Sequence, residues 1–334
     1  MNATTRVAVV GTGGWGEQHA RIFARRPDTE LCAIVGRTPA KTAARAAAYA
    51  TRPYTSIDEM MEAEHPDLVS VVLPNESHFE PTLALIRHGV PLLVEKPLAF
   101  ELEQADRLIA EAAERNLFFA INLNHRYAEP VIRARHAIEN GDLGEIVFAT
   151  WRFGGEWNSG THPHANLIET QCHGLDMLEH LCGPIDSVMA QMTNKTHGPY
   201  TTLAVALHFA NDAVGSLVGS YDSSYAYPGT HLLEVNGTDG RLLIEDTVKR
   251  LTLSRSGDET RQVWEAGYFN DTLRDFHYTF DRHVEDLLVA LRAGQEPPVH
   301  ARAGRRALGL AFAIIESFDS GKRVQVTAPG ENFK

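Results

Sequence analysis

Cysteine is scarce. Cys32, Cys172 and Cys182 are the only three in 334 residues, and no two stand in a CxxC spacing. That excludes a disulfide framework and a thiolate metal site as the organising feature of the chain. Long apolar runs are missing as well. The longest, 307–315, is interrupted by Gly309 and too short to span a bilayer, and the N-terminus has no signal-peptide core. The cytoplasm is therefore the expected compartment. Positive charge is in deficit, with 31 Lys and Arg against 43 Asp and Glu. A net charge of −12, softened by 16 histidines when the pH falls, argues against nucleic acid or an anionic membrane as partner. Internal repeats and low-complexity segments are absent; the Ala-rich stretch 43–50 reads as a plain helix. What remains is 43% apolar and 22% charged, an ordinary globular composition at a length that suits two domains.

The first 122 residues alternate strand-like and helix-like segments. Strands are expected at 7–10, 31–35, 68–73, 92–94 and 117–121, and helices at 15–26, 39–50, 78–88 and 102–115. Nearly continuous apolar strands separated by helices predict a parallel sheet covered on both faces, a doubly wound Rossmann domain over 1–122. After Asn122 the pattern changes. A helix at 127–139, a strand at 145–153, a loop at 154–164 and a helix at 165–181 precede strands at 187–193, 201–209, 213–220, 231–236, 241–245 and 248–253. Asn211-Asp212 and Asn236-Gly237 are hairpin chemistry, so residues 123–334 read as an α+β domain with a large, open, mostly antiparallel sheet. Helices at 273–292 and 301–317 close the chain, the last of them free to return to the first domain. An open sheet of this size needs a cover on its second face, which a second subunit supplies.

Between the first strand and the first helix stands Gly11-x-Gly13-x-x-Gly16. Gly11 lets the chain leave the strand, Gly13 lets the backbone approach a pyrophosphate, and Gly16 lets the helix lie close to the sheet. Glycines are common in turns, but this placement favours a dinucleotide over a structural turn. Lys96 follows the strand 92–94, at the strand end where ligands bind in such folds, and Pro97 stops the strand. A surface lysine is the plainer alternative. On the helix at 165–181, Glu169, His173, Asp176 and His180 form one polar stripe beside the apolar Ile168, Cys172, Leu175 and Cys182. Histidine beside a carboxylate makes an acid–base pair; a solvated face with a chance ion pair is the alternative.

Taken in order, GTGGWG (11–16), LPNESH (73–78), EKP (95–97), NHRYAEP (124–130) and ETQCHGLD (169–176) resemble the motifs of the Gfo/Idh/MocA family, named for glucose–fructose oxidoreductase, inositol dehydrogenase and rhizopine catabolism. The resemblance covers essentially the whole chain. It implies an NAD(P)-dependent oxidoreductase acting on a hydroxyl or carbonyl carbon of a sugar, sugar derivative or cyclitol. It also implies a homodimer or homotetramer built through the C-terminal sheet. Lys96 then corresponds to the active-site lysine and His173 to the histidine that exchanges the hydroxyl proton. Glu169 stands where many members carry Asp, one methylene shorter, which leaves open whether it touches substrate, the His173 ring or neither. Arg126, Asp176 and the loop residue Trp157 are assigned to the substrate. Gly11, Gly13, Gly14, Trp15, Gly16, Pro74, Asn75, His78, Glu95, Lys96 and Asn124 are assigned to the cofactor.

The choice of nicotinamide cofactor is read from the end of the second strand. An acid that would hold the adenosine ribose is expected roughly 20 residues beyond the fingerprint. Gly36 stands there, followed by Arg37, Thr38 and Lys41, a set suited to a 2′-phosphate. NADP(H) is favoured and NAD(H) stays open. His162-Pro163-His164 lacks the acids or cysteines of a zinc site, so no metal is expected. Trp157, Asn158, Tyr225 and Tyr227 either meet a sugar or pin their loops, and Phe276, Tyr278 and Phe280 read as packing. Two other functions compete: a non-enzymatic nucleotide or sugar sensor of the same fold, and a reductase of a dihydrodiol or tetrapyrrole. The presence of Lys96 and His173 weighs against both.

Overall fold

A computed structural model describes residues 4–155, 162–195, 200–224, 227 and 229–327. Apolar runs without alternation become strands buried on both faces. Thr5–Val10 (β1), Thr29–Val35 (β2), Arg52–Tyr54 (β3), Leu68–Val71 (β4), Leu92–Val94 (β5) and Phe119–Ile121 (β6) form one sheet in the order β3-β2-β1-β4-β5-β6. Every pairing in it is parallel. Gly14–Arg25 (α1), Pro39–Ala48 (α2), Ile57–Glu64 (α3), Phe79–His88 (α4) and Leu102–Glu114 (α5) supply the connections. Strand order reverses between β1 and β4, the switch point at which such sheets bind ligands.

The second sheet has nine strands. After Glu129–Glu139 (α6) come Ile146–Gly154 (β7), Cys172–Cys182 (α7), Ile185–Thr193 (β8), Thr202–Phe209 (β9), Val214–Ser220 (β10), His231–Gly237 (β11), Gly240–Glu245 (β12), Arg250–Arg255 (β13) and Arg261–Glu265 (β14). Asp271–Arg274 (α8), Tyr278–Arg292 (α9), Arg302–Ser320 (α10) and Val324–Gln325 (β15) end the described chain. The sheet order is β14-β13-β12-β11-β7-β10-β9-β8-β15. All pairings are antiparallel except β7 with β10. One registered row, Ala190, Val205, Leu217, Trp151, Leu233, Ile244 and Leu251, is buried throughout. Helix α7 seats on this face: a Cβ on Gly174 would lie 2.4 Å from the Trp151 ring nitrogen, so only glycine allows the approach.

The chain divides into two units that are not contiguous in sequence. Met1–Leu123 groups with Phe280–Arg305, and Asn124–Thr279 with Arg306–Lys334. The segment that joins the first unit is thus most of α9 together with the first turn of α10. The reason lies just after α9. Ile121 donates to the Val299 carbonyl at 3.0 Å and Ala301 to that of Phe119 at 2.9 Å, so residues 299–301 extend along β6.

Several local expectations change. β3 and α3 were not anticipated, because β3 is short, largely exposed and contains Pro53. β14 was missed for the same reason: four of its five residues are exposed, leaving no apolar period. The helix expected at 127–139 starts at Glu129, behind a 3-10 turn over Asn124–Tyr127. The strand expected at 248–253 runs over Arg250–Arg255, and the helix expected at 273–292 is two, α8 and α9. The helix expected at 165–181 is broken into a π-turn, Asn166–Thr170, and α7. That inserted turn interrupts the i,i+4 relation assumed between Glu169 and His173.

Candidate active site

In the first unit the glycine turn is built as its spacing demands. Gly11 has φ +139°, and a Cβ there would lie 1.9 Å from the Val72 carbonyl oxygen. A Cβ on Gly16 would lie 2.3 Å from the Gly11 oxygen, whereas one on Gly13 would meet nothing within 4 Å. Gly11 and Gly16 are therefore filled against protein, and Gly13 is open. Gly13 precedes α1 with no side-chain cap, and Gly14 and Trp15 are exposed beside it. A helix N-terminus without a side-chain cap, opening on an uncovered glycine, fits a pyrophosphate. Trp15 also stacks on Phe280, with ring centroids 5.2 Å apart and planes 12° apart.

At the end of β2, Arg37, Thr38 and Lys41 are all exposed. Gly36 is buried, and a Cβ there would lie 2.5 Å from the Thr12 side chain and 2.6 Å from that of Thr42. Residues 36–41, which follow this strand, include no Asp or Glu.

Past β4, Pro74 is exposed and Asn75 begins the 3-10 turn Asn75–Ser77. His78 is different. It is 2% exposed, with Nδ1 at 2.8 Å from the Pro97 carbonyl and Nε2 at 2.9 Å from that of Leu73. Burial pushes its pKa down despite both carbonyls. Set between these two carbonyls, His78 braces the loop after β4 against the loop after β5.

Glu95 is likewise internal. It is 6% exposed, and its Oε1 accepts from Asn122 Nδ2 at 2.6 Å and from His19 Nε2 at 2.8 Å. Its Oε2 accepts from the Lys96 backbone amide at 3.2 Å. Burial alone would raise the Glu95 pKa; His19, Lys96 and Asn122 hold it below the ordinary carboxylate value instead. Lys96 itself is half-buried and joined to Pro97 by a cis peptide bond. Glu95 and His78, both assigned to the cofactor from the sequence, thus have their polar atoms hydrogen-bonded within the protein.

In the second unit His173 lies buried on α7. Its ring stacks on that of His125, with centroids 4.1 Å apart and planes 19° apart. His125 is also edge-on to Phe276 at 5.3 Å and lies near His231 at 5.5 Å and Trp151 at 6.3 Å. His231 accompanies Trp151 at 4.4 Å, bonds with Thr247, and is pushed down to about 3 by burial, so it stays neutral. Gln171 accepts from Trp151 Nε1 at 3.1 Å and donates to Asn166, anchoring the π-turn. The result is an aromatic box around two imidazoles.

Arg126 and Asp176 find each other. Arg126 Nε donates to Asp176 Oδ2 at 2.9 Å and a terminal nitrogen donates to Oδ1, a bidentate pair with Asp176 7% exposed. Burial works against the Arg126 charge, and the Asp176 carboxylate outweighs it and holds the guanidinium above its ordinary value. This pair, both members of which the sequence assigned to substrate, fixes the 3-10 turn to the helix. Asn124 is buried and donates to Thr279 Oγ1 at 2.7 Å. Glu169 is buried on the π-turn, and His180, also on α7, is pushed down to about 4 by burial and by the nearby Arg126. Trp157, Asn158 and Tyr225 lie outside the described residues. His164 stacks on Tyr200 at 4.5 Å, and among the described residues no His, Cys, Asp and Glu cluster could hold a metal ion. Burial pushes Cys32 up to about 11 and Cys182 to about 12, which leaves both as inert thiols. No described helix is long and apolar enough to cross a membrane.

Sequence reasoning missed His19, Asn122, His283 and His125. His125 sits inside the NHRYAEP segment, between two residues that were singled out, so proximity was its available signal. His283, 161 residues from its partner Asn122, gave none.

A parallel sheet with its switch point at an open glycine turn, followed by an open mixed sheet carrying a buried histidine, defines a two-part dinucleotide-dependent enzyme. Comparison with known proteins agrees. Residues 5–123 match the oxidoreductase family's NAD-binding Rossmann fold, and residues 135–326 match its C-terminal alpha/beta domain. The chain belongs to the Gfo/Idh/MocA oxidoreductase family. It is 24% identical over 343 residues to the inositol 2-dehydrogenase of Rhizobium meliloti strain 1021, covering 97% of this chain and 99% of that protein. It is 31% identical over 350 residues to the D-glucoside 3-dehydrogenase of Escherichia coli K12, covering 96% and 97%. A solved levoglucosan dehydrogenase, in complex with NADH and levoglucosan, has the same fold: TM-score 0.89 at 19% identity, over 97% of this chain and all of that one.

Proposed function

We propose that the protein interconverts a hydroxyl and a carbonyl on a sugar, sugar derivative or cyclitol, using NADP(H). Placement of Lys96 carries this reading: it leaves β5 on the binding side of a sheet whose glycine turn is open at Gly13. A bound nicotinamide would accept or return the hydride. Gly13, Gly14 and the first turn of α1 would hold its pyrophosphate, with Trp15 exposed on that turn. Removing hydride from a C–OH carbon requires the hydroxyl to lose its proton. A His173 ring nitrogen accepts that proton, and the Lys96 ammonium steadies the oxygen as its charge grows. In reduction the same groups return the proton. Names of the relatives support a polyol substrate, and the first test is a panel of myo-inositol, methyl D-glucoside and 1,5-anhydro-D-fructose. Turnover of none of them with either cofactor would count against this substrate class.

Preference for NADP(H) rests on Arg37, Thr38 and Lys41 standing exposed where an acid would hold a ribose. Arg37→Ala is expected to weaken NADPH binding about tenfold while leaving NADH nearly unchanged, since one charge-assisted hydrogen bond is worth roughly 1.5–3 kcal/mol. Equal affinities in a fluorescence titration, unmoved by the substitution, would refute the 2′-phosphate reading.

Self-association is proposed through the outer face of the nine-stranded sheet. Met189, Val214, Val218, Phe148 and Val263 stand exposed there, on the side opposite the buried row. Such an apolar face is stable in water when another copy covers it. Phe148→Glu should shift the mass seen by light scattering toward the monomer at equal concentration; an unchanged oligomer would place the interface elsewhere.

A further inference from the structure

Glu95 was assigned to the cofactor, yet its carboxylate is turned inward, and the way it is held bears on Lys96. Three N–H donors converge on it. Asn122 Nδ2 at 2.6 Å and His19 Nε2 at 2.8 Å share Oε1, and the Lys96 amide at 3.2 Å takes Oε2. A carboxylate only accepts, so His19 must carry its proton on Nε2, and its Nδ1 then faces the Ser70 hydroxyl at 2.8 Å. Asn122 is oriented from its far side: its Oδ1 lies 2.8 Å from His283 Nδ1 on α9, which leaves its NH2 for Glu95. Around His19, the helix is clamped twice more. Phe280 meets the His19 ring edge-on at 5.8 Å, and Arg21 pairs with Asp281 at 2.9 Å.

The helix that begins at the open glycine turn is therefore bonded, through His19, to the residue immediately before Lys96. We propose that Glu95 is a positioning residue for Lys96: its carboxylate ties the lysine's main chain to α1 and to the end of β6. This rests on the reading of Lys96 as the substrate-side ammonium. A neutral amide of the same size cannot take over, because it offers one accepting oxygen and presents N–H groups of its own to three converging donors. With His19 and Asn122 oriented as they are, at least one donor then faces another donor, and Lys96 is the least enclosed of the three residues.

Two variants and two readouts test this. Glu95→Gln should speed hydrogen exchange at the Lys96 amide by about tenfold or more. The signal is well isolated, because Pro97 has no amide, and the measurement needs no substrate. On the panel compound that the unmodified enzyme turns over fastest, kcat should fall about 10- to 100-fold, as expected for a misplaced catalytic group. KM and the NADPH dissociation constant should stay within about threefold. His19→Leu should reproduce the loss. His19→Gln, which keeps an N–H toward Glu95, should recover most of the kcat, and the Glu95→Gln/His19→Leu double variant should be no worse than either alone. Exchange and kcat in Glu95→Gln both within threefold of the parent would overturn the proposal. A kcat loss accounted for by a smaller folded fraction at the assay temperature, or no recovery in His19→Gln, would overturn it as well. Full turnover by Lys96→Ala would instead remove the reading of Lys96 on which the proposal stands.

Discussion

Lys96→Ala and His173→Ala are each expected to lower turnover about 10²–10⁴-fold, the usual cost of losing a positioned proton acceptor or an oxyanion donor. The physical argument is charge flow. Hydride leaves the carbon readily only as the hydroxyl proton leaves the oxygen, so a neutral imidazole and an ammonium lower the same barrier. NADPH affinity should barely change, because on the proposed reading the dinucleotide rests on backbone amides of the glycine turn, which neither substitution touches. Lys96 belongs to the first unit and His173 to the second. If they serve one reaction, the double variant should be far less than multiplicatively impaired, as residues acting as a unit are. Near-normal turnover by either single variant would end the acid–base assignment, and fully multiplicative losses would argue for separate tasks. His173→Gln refines the result. It keeps polar bulk against His125 but supplies no base, so it should be as inactive as His173→Ala.

Next in size is the contrast between two glycines of one turn. Gly11→Ala places a Cβ 1.9 Å from the Val72 carbonyl at a backbone angle that side chains rarely adopt. Strain of this kind costs about 1–3 kcal/mol before the overlap is counted, and relieving the overlap pushes β1 away from the end of β4. A lower melting temperature and a loss of NADPH binding of 100-fold or more, equivalent to about 2.7 kcal/mol, are expected together. Gly13→Ala should behave otherwise. Its Cβ meets nothing within 4 Å, so the melting temperature should hold while NADPH affinity falls about tenfold or more. The methyl group would occupy the space through which a pyrophosphate reaches the backbone. Wild-type affinity in Gly13→Ala would mean that the phosphates do not lie over this residue.

Much of the fold could be read from the residues in order, because its determinants are local. The turn from β1 into α1 needs three glycines within six positions, and the strands of the first sheet are contiguous apolar runs. Both are visible without knowing what lies opposite. Lys96 was marked by the strand that precedes it. Other features were hidden because their cause is not local. β3 and β14 carry almost no buried side chains, so no periodicity announces them. The π-turn Asn166–Thr170 is stabilised by Gln171 bonding to Trp151 and Asn166, and a uniform helical stripe could not foretell the break.

Side-chain roles divide along the same line. Glu95, His78, Arg126, Asp176 and Asn124 are all assigned a ligand on sequence grounds, and all have polar partners inside the protein. Chemical type reveals that a carboxylate or imidazole can bind something; it does not reveal that a partner within the protein has already been found. Those partners are far along the chain: Glu95 lies 76 residues from His19 and 27 from Asn122, Arg126 50 from Asp176, and Asn124 155 from Thr279. Burial makes the difference decisive, since a polar group removed from water must be satisfied where it sits, and only the folded packing brings donor and acceptor within 3 Å. The glycine turn and the family could thus be read from neighbouring residues, whereas the internal bonds of Glu95 and the aromatic box around His173 came into view only once distant segments had met.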